Sequence, residues 1–125
     1  MPLAIDQTSP VPIYAQLIEQ LRLDIAAGRL APGEQLPTVR QLAVDLRVNM
    51  HTVAHAYAEL AREGVIAVRR GVGTIVVGPP APPQGDERAR KLADIIQNAL
   101  GQAAALGLTP EEFVSELDAY LKRNE

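Results

Sequence analysis

Apolar residues recur at every fourth position in the first quarter of the chain. These residues are Ile13, Leu17, Leu21 and Ile25. Because residues four apart lie on one face of an α-helix, the spacing predicts an amphipathic helix. Gly28 follows as a C-terminal cap, and Pro10 and Pro12 suit the entry of the helix. Before it, we expect an extended arm over residues 1–9.

The stretch that follows, from Thr38 onwards, predicts two short helices in close succession. Thr38 and Gln41 form a T-x-x-Q capping box, which is typical of a helix start. Asn49 is a favourable N-cap for the next helix, after a break of only two or three residues. Two helices joined so closely must cross steeply. This is the geometry of a helix-turn-helix, whose second helix presents its N-terminal end to a DNA groove.

A β-hairpin is predicted directly after these helices. Val65, Ile66 and Val68 begin a strand, the segment 69–73 (RRGVG) forms a tight tip, and residues 74–77 return as the second strand. The order of elements therefore predicts a mainly α fold with a small β-hairpin wing, a winged helix-turn-helix domain over residues 1–78. The wing tip is interpreted as a DNA contact, since its glycines allow close backbone approach and its arginines supply charge. A solvated turn is the alternative.

The last third of the chain predicts a separate two-helix tail. Residues 79–85 belong to the proline-rich segment GPPAPPQG and form a semi-rigid linker. In the tail, residues 86–125, Thr109 and Glu112 form a second capping box. Two helices totalling about 35 residues rarely fold alone, so their apolar stripes predict a homodimer. The interface residues are expected to be Leu92, Ile96, Ala99, Ala103, Leu106, Phe113, Leu117 and Leu121.

Charge and composition narrow the class of protein. The chain has no cysteine, and no stretch approaches the roughly 18 apolar residues of a membrane span. We therefore expect a cytoplasmic protein with no membrane partner. Residues 1–78 hold seven arginines and seven acidic residues, so the net charge of −3 resides in the remainder. Because phosphate attraction is screened beyond about 10 Å, an acidic tail does not prevent DNA binding, but a neutral head predicts few phosphate contacts.

Several motifs in linear order resemble one known family. They are VPIYAQLIEQLR, GRLAPGEQLPTVRQLA, VNMHTVAHAYAELAREGVI and RRGVGT. From about Pro12 to Val77 these residues resemble the DNA-binding domain of the GntR family of bacterial transcription regulators. The short two-helix tail resembles the YtrA subfamily in particular. The resemblance implies a dimeric repressor that binds an operator in double-stranded DNA, often one controlling a membrane-transporter operon.

The family pattern and the charge of the wing together indicate which residues contact DNA. These residues are Arg40, Asn49, Met50, His51, Thr52, His55, Arg69, Arg70 and Gly71. Arg40 lies near a helix N-terminus, where backbone N–H groups also favour phosphate. A solvated surface charge is the alternative for Arg40, and a purely capping role is the alternative for Asn49.

Two features depart from the family pattern. Many relatives carry an arginine near Met50 or His55, so guanine recognition by this helix is expected to be weak, and recognition of thymine methyl groups or DNA shape stronger. Arg47 occupies a turn position that usually holds glycine. A side chain in the left-handed conformation costs about 1 kcal/mol, so the turn is either strained or different in geometry.

Other chemistries are weakly supported. His51 and His55 are spaced as in helical zinc sites, but Glu59 is the only further acid along that face, so no metal is expected. The tyrosines 14, 57 and 120 are expected in the core or an interface. No nucleophile has a plausible base, so we expect neither an enzyme nor a cofactor. A protein-interaction module and a small-ligand sensor remain alternatives, and any effector is unknown.

Overall fold

The structure, a computed structural model, describes residues 3–124 and divides the chain into two compact units. The units are Met1–Ala81, termed the head, and Pro82–Glu125, termed the tail, and their boundary lies inside the proline-rich segment. Within the described residues, no helix is both long and apolar enough to cross a bilayer.

Helix α1, Ile13–Ala26, has the predicted apolar face. It buries Leu17, Ile18, Leu21 and Ile25. The arm before it differs from the expectation. Met1 and Pro2 lie outside the described residues, and the segment from Asp6 to Ser9 forms a turn in which the Ser9 N–H bonds to the Asp6 carbonyl. The Asp6 carboxylate accepts from the Thr8 hydroxyl and N–H, which stabilises this turn and lowers the pKa of Asp6.

Two glutamines of α1 hold the arm by pairing with its backbone. The Gln16 amide accepts from the Asp6 N–H and donates to the Asp6 carbonyl, both at 2.9 Å. The Gln20 amide pairs with the N–H and carbonyl of Ala4 in the same way. Leu3 and Ile5, which alternate with the paired residues, pack against the core. The amides thus act as a neighbouring strand would, which sequence periodicity does not reveal.

Helices α2, Val39–Leu46, and α3, Met50–Arg62, form the predicted helix-turn-helix. The Thr38 hydroxyl accepts from the Gln41 N–H at 3.0 Å, and the Gln41 side chain accepts from the Thr38 N–H at 2.9 Å, which confirms the capping box. Arg47 ends α2 in the left-handed conformation, with φ 58° and ψ 46°. Arg47 therefore carries strain where glycine would carry none.

The wing consists of antiparallel strands β1, Ile66–Arg69, and β2, Gly73–Val76. Arg69 was expected in the tip, but it lies in β1 opposite Gly73, so the turn is formed by residues 70–72. The connector before α2 adds to the open edge of β2. The Leu36 N–H donates to the Thr74 carbonyl at 2.8 Å, and the Val76 N–H donates to the Glu34 carbonyl at 2.8 Å.

The core of the head lies mainly between α1 and α3. Its members are Leu17, Ile18, Leu21, Ile25, Leu30, Leu36, Leu42, Ala43, Val53, Ala56, Tyr57, Leu60, Val65, Ile66 and Val76. The Arg22 guanidinium contacts Glu63 at 2.6 and 3.1 Å, which ties α1 to the end of α3 and raises the pKa of Arg22. The buried Tyr57 hydroxyl donates to the Pro37 carbonyl at 2.7 Å, which fixes α3 against the start of α2.

The tail contains α4, Gly85–Ala105, and α5, Pro110–Arg123. The Thr109–Glu112 capping box is present, and its hydrogen bonds lower the pKa of Glu112. Ala103 is only 4% exposed within a single chain. Ala103 therefore has little accessible surface in a single chain, and its expected place at the dimer interface stays a prediction. Most of the apolar stripe is exposed, including Leu92, Ile96 and Leu117.

Replacing Arg47 by glycine tests the strain in the turn. We expect Arg47→Gly to raise the free energy of unfolding by roughly 0.5–1 kcal/mol, because the relief of the left-handed conformation exceeds the entropy glycine adds to the unfolded chain. Chemical denaturation measures the change. Arg47→Ala is the matched control: it removes the same charge but keeps Cβ, and a similar gain from it would show that backbone strain is not the cause.

Replacing Gln20 by glutamate tests the pairing with the arm. The carboxylate of Gln20→Glu has the same shape but cannot donate to the Ala4 carbonyl, so the arm should open more often. Hydrogen exchange followed by NMR should show the Ala4 and Asp6 amides exchanging about 3- to 10-fold faster, with core amides of α3 unchanged. Exposed Gln102→Glu in α4 is the control, and equal protection of Ala4 in all three proteins would contradict the pairing.

Candidate nucleic-acid interface

The packing of α3 decides which of its residues can reach a ligand. Val53, Ala56, Tyr57 and Leu60 are buried on one face. Side chains about a half-turn away from that face point to solvent, and in the first two turns these are Met50, His51, Ala54 and His55. Thr52 lies half-buried on one flank. The start of α3 therefore offers a mixed surface of apolar groups and imidazoles with no arginine.

Asn49 has the capping role considered as its alternative. Its side-chain oxygen accepts from the His51 N–H at 2.7 Å. This bond uses one lone pair of the carboxamide oxygen and leaves the NH₂ group available as a donor. Asn49 can therefore cap α3 and still donate to a phosphate or a base edge.

The arginines of the head fall into two groups. Arg22, Arg29 and Arg62 form ion pairs with Glu63, Asp24 and Glu59 respectively. Among the residues that the structure describes, Arg40, Arg47, Arg69 and Arg70 have no ion-pair partner, and all four are exposed. The helix-turn-helix and wing thus carry the uncompensated positive charge of a neutral head, and most of it lies where phosphate contacts are expected.

The wing tip is held by a residue that sequence reasoning missed. The Gln35 side-chain amide donates to the Val72 carbonyl at 2.7 Å. A Cβ at Gly73 would stand only 3.1 Å from the same amide nitrogen, so the glycine makes room for Gln35. Gly71 supplies the positive φ of 81° that the turn requires. The tip that carries Arg70 is therefore fixed.

The same contact brings the wing tip near the start of α2. Only five residues separate Gln35 from Arg40, and an extended chain covers at most about 3.6 Å per residue, so their Cα atoms lie within about 18 Å. The start of α2, where Arg40 lies, and the wing tip are therefore near one another in space. No local sequence motif links Gln35 to the wing, because the two are 37 residues apart.

His55 is not a free imidazole on the helix surface. Its ring stacks on Tyr14 of α1 with centroids 4.3 Å apart and planes 20° from parallel. Tyr14 was expected in the core or an interface, but the structure places it beside the exposed face of α3. The stack fixes one face of the His55 ring, so only its edges and outer face remain for a ligand. The described residues contain no cluster of three or more His, Asp or Glu suited to a metal ion.

Comparison with known sequences places the head in one family. The family model described as "Bacterial regulatory proteins, gntR family" matches residues 13–76. The uncharacterized HTH-type transcriptional regulator YhcF of Bacillus subtilis is 33% identical over 113 residues, 90% of this chain and 92% of that protein. The HTH-type transcriptional repressor YtrA of Bacillus subtilis is 46% identical over 72 residues, 58% of this chain and 55% of that protein.

Solved structures give the same assignment. YtrA from Sulfolobus acidocaldarius, a GntR-family transcription factor, is 36% identical with a TM-score of 0.55, covering 96% of this chain and 97% of that one. The AraR DNA-binding domain in complex with operator ORX1 is 29% identical with a TM-score of 0.54, covering 60% and 96%. The region matched by the family model runs from the start of α1 to the end of β2 and contains every candidate DNA contact. The chain therefore belongs to the GntR family of bacterial regulatory proteins, whose members are DNA-binding transcription regulators.

Proposed function

We propose that this protein is a transcription repressor that binds a pseudo-palindromic operator as a homodimer. The observation that carries the proposal is that the start of α3, Arg40 and the arginines of the clamped wing are exposed and that these arginines have no ion-pair partner among the described residues. The same domain type occurs in AraR in complex with operator DNA. The YtrA relative of Bacillus subtilis bears the name of a repressor.

In this proposal the three parts of the surface have different roles. The first turns of α3 enter the major groove, where Met50, His51, Thr52 and the stacked His55 meet base edges. Arg40 contacts a phosphate or a guanine from the start of α2, and Asn49 donates through its free NH₂ group. In the wing, Arg69, Arg70 and Gly71 follow the backbone into the adjacent minor groove, where two glycines permit close approach.

The tail supplies the second half of the proposed dimer. Five of the eight stripe residues are at least 45% exposed in a single chain, and Leu106 reaches 81%. An amphipathic pair of helices with so much open apolar surface is stabilised by burying that surface against an identical pair. The interface is proposed at Leu92, Ile96, Ala99, Ala103, Leu106, Phe113, Leu117 and Leu121. Two heads joined in this way fit half-sites about one helical turn, or 34 Å, apart.

The proposal also covers the regulatory role. A dimer seated on an operator that overlaps a promoter blocks transcription, and we place this activity in the cytoplasm, where the DNA of a bacterial cell lies. Control of a transporter operon follows the pattern of the YtrA group. Genome-wide footprinting of the purified protein identifies the regulated genes, and deletion of its gene should raise their transcripts; lowered transcripts would instead identify an activator.

The direct test is DNA binding by the full chain across a salt series. A regulator whose head carries four unpaired arginines should bind its promoter fragment with an affinity that falls steeply as salt rises. A protein-interaction module would show no salt-sensitive shift on any promoter fragment. Such a result would contradict the proposed function.

Removing the Arg40 side chain tests the first contact. We expect Arg40→Ala to weaken operator binding by about 1–3 kcal/mol, because a charge-assisted hydrogen bond to DNA is lost. Fluorescence anisotropy at fixed salt measures the change, and the salt slope should fall by about one if the partner is a phosphate. Arg29→Ala is the matched control, since Arg29 is paired with Asp24. Equal losses in the two variants would show that Arg40 makes no particular contact.

Charged substitutions in the tail test the dimer. The triple variant Leu92→Glu, Ile96→Glu and Leu117→Glu should be monomeric in sedimentation, because three charges would be buried in the interface. Its operator affinity should fall at least 100-fold, since each head then binds singly. Asn98→Asp, on the polar side of α4, is the control and should remain dimeric. A dimer that survives the triple substitution would place the interface elsewhere.

A further inference from the structure

An apolar groove opens at the point where α2 meets the start of α3. It has a volume of about 610 Å³ and is lined by Val39, Asn49, Met50, His51 and Ala54. Met50, the first residue of α3, is 45% exposed. Val39 directly precedes Arg40 in the first turn of α2. The groove is therefore continuous with the surface that the proposed function assigns to DNA.

The chemistry of the lining limits what this groove can accept. Val39 and Ala54 carry no polar side-chain atom, and the Met50 thioether is at most a weak acceptor. The Asn49 oxygen and the His51 N–H are already bonded to each other. The Asn49 NH₂ group and the His51 imidazole are the polar groups that remain in the lining, and neither is the bidentate guanidinium donor that most often recognises the N7 and O6 atoms of guanine. Val39, Met50 and Ala54 offer only apolar surface to a base edge.

One group in the major groove matches this surface. The C5-methyl of thymine is the apolar group that the base edges present there. We propose that Met50, together with Val39 and Ala54, forms a specificity-determining contact with a thymine methyl group in each operator half-site. This contact rests on the proposed function and extends that function by naming the base that the start of α3 selects. The flexible side chain of Met50 adapts to the methyl group without a fixed hydrogen-bond geometry.

The test separates the methyl group from the rest of the base. Full-length protein is first used to select its preferred duplex from a randomised pool. Each thymine of that duplex is then replaced by deoxyuridine in both half-sites, which removes the methyl group and leaves base pairing intact. At one thymine per half-site, wild-type affinity should fall about fourfold per methyl group, and about 15-fold for the symmetric pair.

Two variants at position 50 connect this loss to Met50. Met50→Ala should bind the thymine and uracil duplexes with affinities within twofold of each other, whereas Met50→Leu should keep most of the discrimination. Leu23→Ala is the matched control. Leu23 is a similarly exposed apolar residue, at 51%, and neighbours Arg22, which contacts Glu63 at the far end of α3. Leu23→Ala should lose as much affinity as the wild type when thymine is replaced by deoxyuridine. Thermal melting verifies that all variants fold.

The outcomes distinguish this contact from the proposed function itself. A duplex that binds tightly but tolerates uracil at every thymine overturns the contact and leaves the repressor proposal intact. The contact is also overturned if Met50→Ala folds and retains the wild-type uracil penalty. A selection that enriches no sequence, with no salt-sensitive binding, contradicts DNA recognition and the methyl contact together.

Discussion

The burial of one face of α3 against α1 is the constraint on which the rest of the structure depends. Leu17, Leu21, Val53 and Leu60 are fully buried there. Tyr14 stacks on His55, and Arg22, which follows Tyr14 by eight residues, pairs with Glu63, which follows His55 by eight residues. The two helices therefore run in the same general direction. Because this packing settles the rotation of α3, it also settles which side chains can enter a DNA groove.

The positive charges of the head are unevenly distributed. Three of its arginines are paired with acids around the core, and those without such partners lie in the helix-turn-helix and the wing. A head with so few available charges gains limited affinity from phosphates. In the proposed function, recognition then depends more on base contacts at the start of α3 and on the linking of two heads, since two linked sites bind more tightly than either one alone. The proposed dimerisation through the tail and the proposed apolar base contact at Met50 are consistent with that balance.

The turn before α3 shows how the conformational strain at Arg47 is tolerated. Arg47 adopts the left-handed conformation although glycine would do so without strain. The neighbouring caps at Thr38 and Asn49 and the Tyr57–Pro37 hydrogen bond fix the flanking helices, so the turn has no freedom to relax. Arg47 also has no ion-pair partner among the described residues, and it lies in the helix-turn-helix, as Arg40 does.

The sequence by itself determined the order and nature of the elements. Helix spacing, two capping boxes, the Asn49 cap and the glycines of the hairpin predicted five helices and a wing, because each of these signals acts between residues at most a few positions apart. Their local character also made the winged helix-turn-helix recognisable from motifs. The ends of the elements were predicted less accurately: Arg69 was predicted in the wing tip, and the structure places it in β1.

Only the tertiary structure decided how distant residues meet. Gln35 clamps a wing tip 37 residues away, Gln16 and Gln20 hold the arm, and Tyr14 covers His55. Ala103 has the spacing of an interface residue, yet its own chain buries it. Periodicity reports which side of a helix is apolar but not what covers that side, and polar side chains that bond to remote backbone leave no periodic trace. These contacts follow from three-dimensional packing alone.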